Sequence, residues 1–219
     1  MIRPDPRRRP VLLGAAAAAA CAAARFRRAA AQAGGAAAGP AADPVAVVER
    51  FHAVLLDVMR HARQLGPRGR ERRLRPAMEA AFDLPAMARI AVGPAWTRMT
   101  PAQQAAVAEA FADWSVATYA ARFDGYSGET FTTHGVTELR GGDRLVRTTL
   151  NRSDGEPVQL NYLLRQGADG AWKIVDVYLT GTISELASRR AEFATILREG
   201  GPERLAAELR RRSEALLRG

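Results

Sequence analysis

Apolar residues fall at helical spacing in the first half of the chain, alternate through a middle stretch, and return to helical spacing at the end. Val47, Val48, Phe51, Val54, Leu55, Val58, Met59 and Ala62 form a one-face stripe, which predicts a helix from Asp43 to about Leu65. Asp43-Pro44 supplies a cap residue followed by proline at the first helical position, and Gly66-Pro67 is the expected end. A basic segment, Arg68 to Arg75, leads into a second helix that runs through Phe82. Asp83-Leu84-Pro85 starts a short helix ending near Gly93-Pro94. Thr100-Pro101 opens a third long helix, and Gln103 completes a capping-box pattern. Its residues Val107, Phe111, Trp114, Tyr119 and Phe123 spread over about half the circumference, more than one packing seam needs.

At Gly125 the period changes. Strands are predicted near 129–139, 143–152, 157–166 and 171–179, separated by Gly141-Gly142, Ser153-Asp154-Gly155 and the Gly167 to Gly170 turn. Three short turns in a row make an antiparallel meander. Val158, Leu160, Tyr162 and Leu164 alternate cleanly, so at least one sheet face is buried. Helical spacing returns at Ser184, with Leu186, Phe193 and Leu197 on one side. Gly200-Gly201 ends that helix and Pro202 begins the last, which carries Leu205, Leu209 and Leu216. The order predicts a single α+β domain over 43–219, its helices packed on one face of a curved four-stranded antiparallel meander.

Charge changes the picture only until it is located. The chain of 219 residues carries a net +9, which on its own suggests a nucleic-acid partner. Residues 1–33 hold seven arginines against the single acid Asp5, so six of those charges lie there and the rest of the chain nets only +3. Nucleic-acid binding is therefore not expected. The same 33 residues read as a secretory signal: basic Arg7 to Arg9, an apolar run from Val11 to Ala24, and an A-x-A site at Ala31-Gln32-Ala33. Arg25-Phe26-Arg27-Arg28 interrupts this pattern, and an uncleaved amphipathic anchor is the alternative. Residues 34–42, rich in Gly, Ala and Pro, read as a flexible linker. The one cysteine, Cys21, lies in the leader, so the mature chain is expected to have no disulfide, thiolate nucleophile or cysteine metal site. No later segment reaches 18 apolar residues, and the mature chain is expected to be soluble or peripheral.

Catalytic signatures are missing from the sequence: it has no G-x-S-x-G, P-loop, dinucleotide fingerprint or H-E-x-x-H. His52 and His61 fall about 180° apart on one helix and cannot share a metal, and His134 is alone on a strand, as an edge or surface histidine. Asp176 interrupts the buried-strand pattern Trp172-Lys173-Ile174-Val175-Asp176-Val177-Tyr178 and needs a partner, with Arg190 or solvent at the sheet rim as candidates. In a cone-shaped α+β enzyme such an aspartate acts as a general base, with Tyr162 or His134 nearby. The run Arg68 to Arg75 reads as a solvated helix face, with contact to anionic headgroups or a partner as the alternative. Trp96, Phe111, Trp114, Tyr119, Phe123 and Tyr126 supply enough aromatic surface either to fill the core or to line a cavity.

Two blocks carry a resemblance to a known family. The first runs from Phe82-Asp83 and Arg89 through Gly93, Trp96, Thr100, Gln104, Phe111 and Tyr119 to Tyr126. The second is Trp172-Lys173-Ile174-Val175-Asp176-Val177, followed by Gly181, Ile183-Ser184, Arg190, Phe193, Gly201 and Leu205. In order and spacing these resemble the MlaC, or toluene-tolerance auxiliary, family of periplasmic phospholipid-binding components of ABC transport systems, over about 43–217. The run from Asp176 to Leu186 is more similar to the hopanoid-associated HpnM branch. The resemblance implies an apolar cavity between the helical layer and the sheet. It implies a periplasmic carrier that moves phospholipid or a hopanoid-type lipid between membrane complexes, without bond chemistry, metal or cofactor. The expected partners are that lipid and a membrane-bound transport complex, and the chain is expected to be a monomer. Helical and strand phase nominate Met87, Trp96, Phe111, Tyr119, Phe123, Leu160 and Tyr162 as wall residues. A membrane-complex adaptor without cargo and the Asp176 enzyme are the alternatives.

Overall fold

The computed structural model describes residues 43–153 and 155–218; the predicted signal peptide and linker lie outside them. Helix α1 (Pro44–Arg60) buries Val48, Phe51, Leu55 and Val58 along its apolar stripe. Asp43 makes no side-chain cap hydrogen bond, contrary to expectation, so the fixed φ of Pro44 is what opens the first turn. Helix α1 ends at His61 rather than near Leu65, and α2 (Ala62–Ala81) carries a break at Gly66, where φ is 62°. Gly66-Pro67 thus redirects the helical path and frees carbonyls ahead of the break. Buried Arg70 takes up one of them, donating to the carbonyls of Ala62 at 3.1 Å and Ala120 at 2.7 Å. The basic run is therefore not a uniform solvated face: Arg70 and Leu74 are buried among its exposed arginines.

Asp83 caps α3 (Leu84–Val92), accepting the Ala86 N–H at 3.0 Å. A 3₁₀ segment (Gly93–Arg98) connects to α4 (Pro101–Arg122). The capping box at α4 forms as its spacing predicts: Thr100 Oγ1 accepts from Gln103 N at 3.2 Å, and Gln103 Oε1 accepts from Thr100 N at 2.9 Å. Helix α4 packs against α2 and α3 and against α5 (Glu185–Leu217), and this accounts for the wide apolar arc. Helix α5 is itself two helical stretches that meet at Gly200–Gly201, where Gly201 has φ 70°.

The sheet is an antiparallel meander of β1 (Thr130–Glu138), β2 (Arg144–Asn151), β3 (Val158–Gln166), β4 (Trp172–Leu179) and β5 (Ile183–Ser184), in that order. The four-strand expectation is one short. Two residues show no alternation, and their pairing with Tyr178 and Leu179 depends on a local turn with Thr180 at φ 50° and Gly181 at φ 83°. Register shifts leave His134 as an extra residue in β1 and Val175 as one in β4. Such bulges bend a strand and raise its twist, which gives the sheet its curvature. Val146, Thr148 and Leu150 of β2 and Leu160, Tyr162 and Leu164 of β3 alternate onto the buried face. A backbone bond from Asp83 N to the Ile174 carbonyl, at 2.9 Å, ties the α2–α3 joint to β4.

Candidate functional site

Between this sheet and the helical layer the interior is not filled. A cavity of about 490 Å³ lies there, within the roughly 300–1,000 Å³ range of small-molecule sites. Helices contribute Met59, Met78, Met87, Phe111 and Trp114 to its walls, and the sheet contributes Leu150, Leu160, Tyr162 and Val177. Tyr119 and Phe123 stack at 5.7 Å between ring centroids, and Tyr119 meets Phe51 and Phe82 edge-on at 5.6 and 5.9 Å. Three of the polar groups in the walls are engaged by the protein itself. Ser115 and Thr118 donate their hydroxyls to the carbonyls of Phe111 and Trp114, each at 2.7 Å, four residues back along α4. Tyr162 shares a 3.0 Å hydrogen bond with Nε2 of His52, whose ring stacks on Phe131 at 3.7 Å. Burial lowers the His52 pKa to about 3 and pushes the Tyr162 phenol well above its usual value, so both are neutral.

The cavity reaches the surface past the loop that follows α4, where Gly125 and Ser127 are exposed, and past Arg152 on the β2–β3 turn. Charged groups gather at this mouth. Arg122 ends α4, and Glu185 and Arg189 lie in the first turns of α5. Glu185 approaches Arg122 through one carboxylate oxygen and Arg189 through the other, each at 3.9 Å. The Arg189 guanidinium lies over the Trp114 ring at 5.1 Å. Its Nε is the one buried side-chain polar atom, among the described residues, with no hydrogen-bond partner. An unpaired buried donor of this kind costs about 1–3 kcal/mol. Burial raises the Tyr119 phenol pKa; the Arg122 charge lowers it and Glu185 raises it, which places that phenol within electrostatic reach of the mouth.

Six of the nominated wall residues, Met87, Phe111, Tyr119, Phe123, Leu160 and Tyr162, border the cavity. Trp96 does not: it lies on the 3₁₀ segment, packed against the core from outside, and its carbonyl accepts from Gln104 Nε2 at 2.9 Å. Periodicity passed over Met59 as an ordinary stripe position, did not single out Met78, and gave Arg122, Glu185 and Arg189 no role. No local signal marks them, because the mouth is assembled from elements more than sixty residues apart.

Asp176 is not part of the cavity wall. Its carboxylate accepts the Ser184 hydroxyl and the backbone N–H groups of Val177 at 2.7 Å and Leu186 at 3.4 Å. Arg190, one of the two candidate partners, instead donates to the Ile90 carbonyl at 3.1 Å, and Asp176 is buried rather than solvated at the rim. Ser184 Oγ also accepts from Ala187 N at 3.0 Å, so one hydroxyl caps α5 and pins it to β4. His134 sits exposed on edge strand β1, bonded to Thr149 Oγ1 at 2.8 Å. Asp176, Tyr162 and His134 therefore do not converge in one pocket as a base-catalysed mechanism needs. Among the described residues there is no group of His, Cys, Asp and Glu that could hold a metal ion, and no helix long and apolar enough to cross a membrane.

A helical layer closed over a curved antiparallel meander, with an apolar cavity between them, defines a class of fold. The chain belongs to the MlaC protein family, whose model matches residues 49–211. The same fold occurs in the phospholipid-binding protein from Ralstonia solanacearum, solved in complex with a phospholipid. The TM-score is 0.69 at 24% identity, over 80% of this chain and 99% of that one. No curated protein matches the sequence.

Proposed function

We propose that this protein is a periplasmic carrier that takes lipid acyl chains into its cavity and moves phospholipid or a hopanoid-type lipid between membrane complexes, without bond chemistry. The observation that carries the proposal is the unfilled apolar space between α4 and the sheet. An exterior-facing void lined by methionine and aromatic rings is poorly explained by stability, since filling it would add dispersion contacts. Membership of the MlaC family and the phospholipid held by the Ralstonia protein of the same fold support the reading. Each CH₂ transferred from water into such a cavity contributes about 0.8 kcal/mol, so acyl tails can be retained by burial alone. Export by residues 1–33, with 34–42 as a tether to the folded domain 43–219, would deliver the protein to the compartment between the membranes. Tight burial makes spontaneous release slow, so unloading needs a membrane-bound transport complex that opens the mouth or offers a competing apolar surface. The candidate wall residues are Met87, Phe111, Tyr119, Phe123, Leu160 and Tyr162.

The test is to purify the exported protein from its native membrane context, extract it under denaturing conditions and identify bound lipid by mass spectrometry. Near-stoichiometric phospholipid is expected of a general carrier and hopanoid of the specialised branch. An empty protein that also takes up no added lipid would overturn the carrier reading.

A further inference from the structure

We infer that the mouth of the cavity contains a seat for the phosphodiester of a lipid headgroup, formed by Arg122 and Arg189 on either side of Glu185. The inference rests on the carrier reading and narrows its cargo to phosphate-bearing lipids.

Three observations lead to it. Glu185 stands 3.9 Å from each guanidinium, beyond the roughly 2.7–2.9 Å of a charge-assisted hydrogen bond. Glu192, the other acid near Arg189, is no closer than 3.7 Å. These are loose charge pairings that leave donors unspent, and the buried Nε of Arg189 is unpartnered outright. Second, Arg189 is already placed: its guanidinium carbon lies 5.1 Å from the ring centroid of Trp114, itself a wall residue, so little side-chain freedom is lost when an anion arrives. Third, the cluster sits where an acyl-anchored molecule must put its polar end. Below it the wall is Phe111, Trp114, Phe123 and Leu186, and the hydroxyls of Ser115 and Thr118 are turned back into α4.

Charge sets the ligand class. Arg122 and Arg189 stand against Glu185, and Glu192 is matched by Arg212 at 2.6 Å, which leaves a single positive charge that one phosphodiester neutralises. Asp124, Glu129 and Arg152 also border the cavity, so attraction comes from the local pair and not from a broad positive field. Glu129 is engaged, accepting the Ser127 N–H at 2.6 Å. Planar guanidinium forks match phosphate oxygens in pairs, and the phosphate takes the place that Glu185 now fills at a distance. An uncharged polycyclic lipid would leave the seat unused.

The experiment uses the full chain, expressed with its own N-terminal segment and stripped of lipid. It is offered mixed vesicles holding phosphatidylglycerol and diacylglycerol with the same acyl chains in equal amounts, and captured lipid is read by mass spectrometry. The wild type is expected to favour phosphatidylglycerol by about tenfold or more. Arg122→Gln with Arg189→Gln should remove most of that preference by lowering phosphatidylglycerol capture relative to diacylglycerol, with circular dichroism showing that the variant is folded. Glu185→Gln, which keeps both arginines and the fold, should raise the preference severalfold. A wild type that takes both lipids equally, or a preference untouched by these variants, overturns the seat and leaves the carrier reading standing. A wild type that takes neither lipid overturns both. Inorganic phosphate alone should not protect the lipid-free protein from unfolding; if it protects through the same arginines, the seat serves a free anion and the headgroup assignment falls.

Discussion

Two sets of apolar residues share one hydrophobic cluster and differ in kind. Leu55, Val58, Leu74, Leu205 and Leu209 are each 0% exposed and do not line the cavity. Met59, Met78, Met87, Phe111 and Trp114 belong to the same cluster and face the cavity. Val58 and Met59 are adjacent on α1 and fall on opposite sides of this divide. Branched aliphatic side chains have few rotamers and interdigitate to crystal-like density. Methionine is flexible and polarizable, and aromatic rings offer flat surfaces, so the second set can line a space that changes its contents. The sealed set holds the fold, and the lining set leaves room in it.

The sharpest way to break this contrast is to truncate one member of each set. Leu205→Ala should cost about 2–5 kcal/mol in denaturant unfolding, or a fall in Tm of roughly 2–4 °C for each kcal/mol. Met87→Ala should cost less than half as much, because its side chain already borders a void. Equal losses would show the cavity wall to be packed as tightly as the core.

Acid tests the boundary between the two sets, where His52 is buried behind Tyr162. In the folded chain its pKa lies near 3, against about 6.5 when unfolded, so on acidification the unfolded state takes up the proton first. The stabilising contribution is complete above pH 6.5 and is lost as pH falls from 6.5 toward 3. Between pH 6.5 and pH 5 the loss should be about 2 kcal/mol. His52→Gln should lack that part of the pH dependence; an identical slope in the variant would mean that another group is responsible.

Ser184→Ala removes the hydroxyl that caps α5 and donates to Asp176, at the join between the mouth and the sheet. A loss of about 1–2 kcal/mol is expected, together with faster amide exchange in the first turn of α5. Unchanged exchange there would show that the turn before β5, not the cap, holds the helix start. The smallest stability effect belongs to Leu160→Trp, which adds volume where space is free. Stability should shift by less than about 1 kcal/mol while captured lipid falls severalfold. A fully loaded Leu160→Trp protein would place the cargo elsewhere.

Much of the architecture is legible in residue spacing. The stripe on α1, the Thr100–Gln103 box and the Val158–Leu164 alternation each name an element, because the energy that forms it is local or depends on one buried face. Where the sequence misleads, the deciding contact leaves no periodic trace. Asp43 promises a cap that Pro44 makes unnecessary. Arg70 looks like one more solvated arginine, yet it closes the carbonyl of Ala120, fifty residues away. Ile183–Ser184 is too short to show a period and exists as a strand only beside Tyr178 and Leu179.

The sequence alone therefore determined the order of the long helices and the four long strands, the buried stripe of the first helix and an α+β domain of the MlaC kind, since periodicity and capping are properties of neighbouring residues. Only the tertiary structure decided which apolar residues seal the core and which line the cavity. Helical phase points Met59 and Phe51 to the same interior, and the distance between layers that leaves one of them facing empty space is set by the curvature of a sheet formed some eighty residues later. The same holds for Arg122, Glu185 and Arg189. Their types are commonplace, and their meeting at one opening follows from the packing of α4 against α5, which no local pattern encodes.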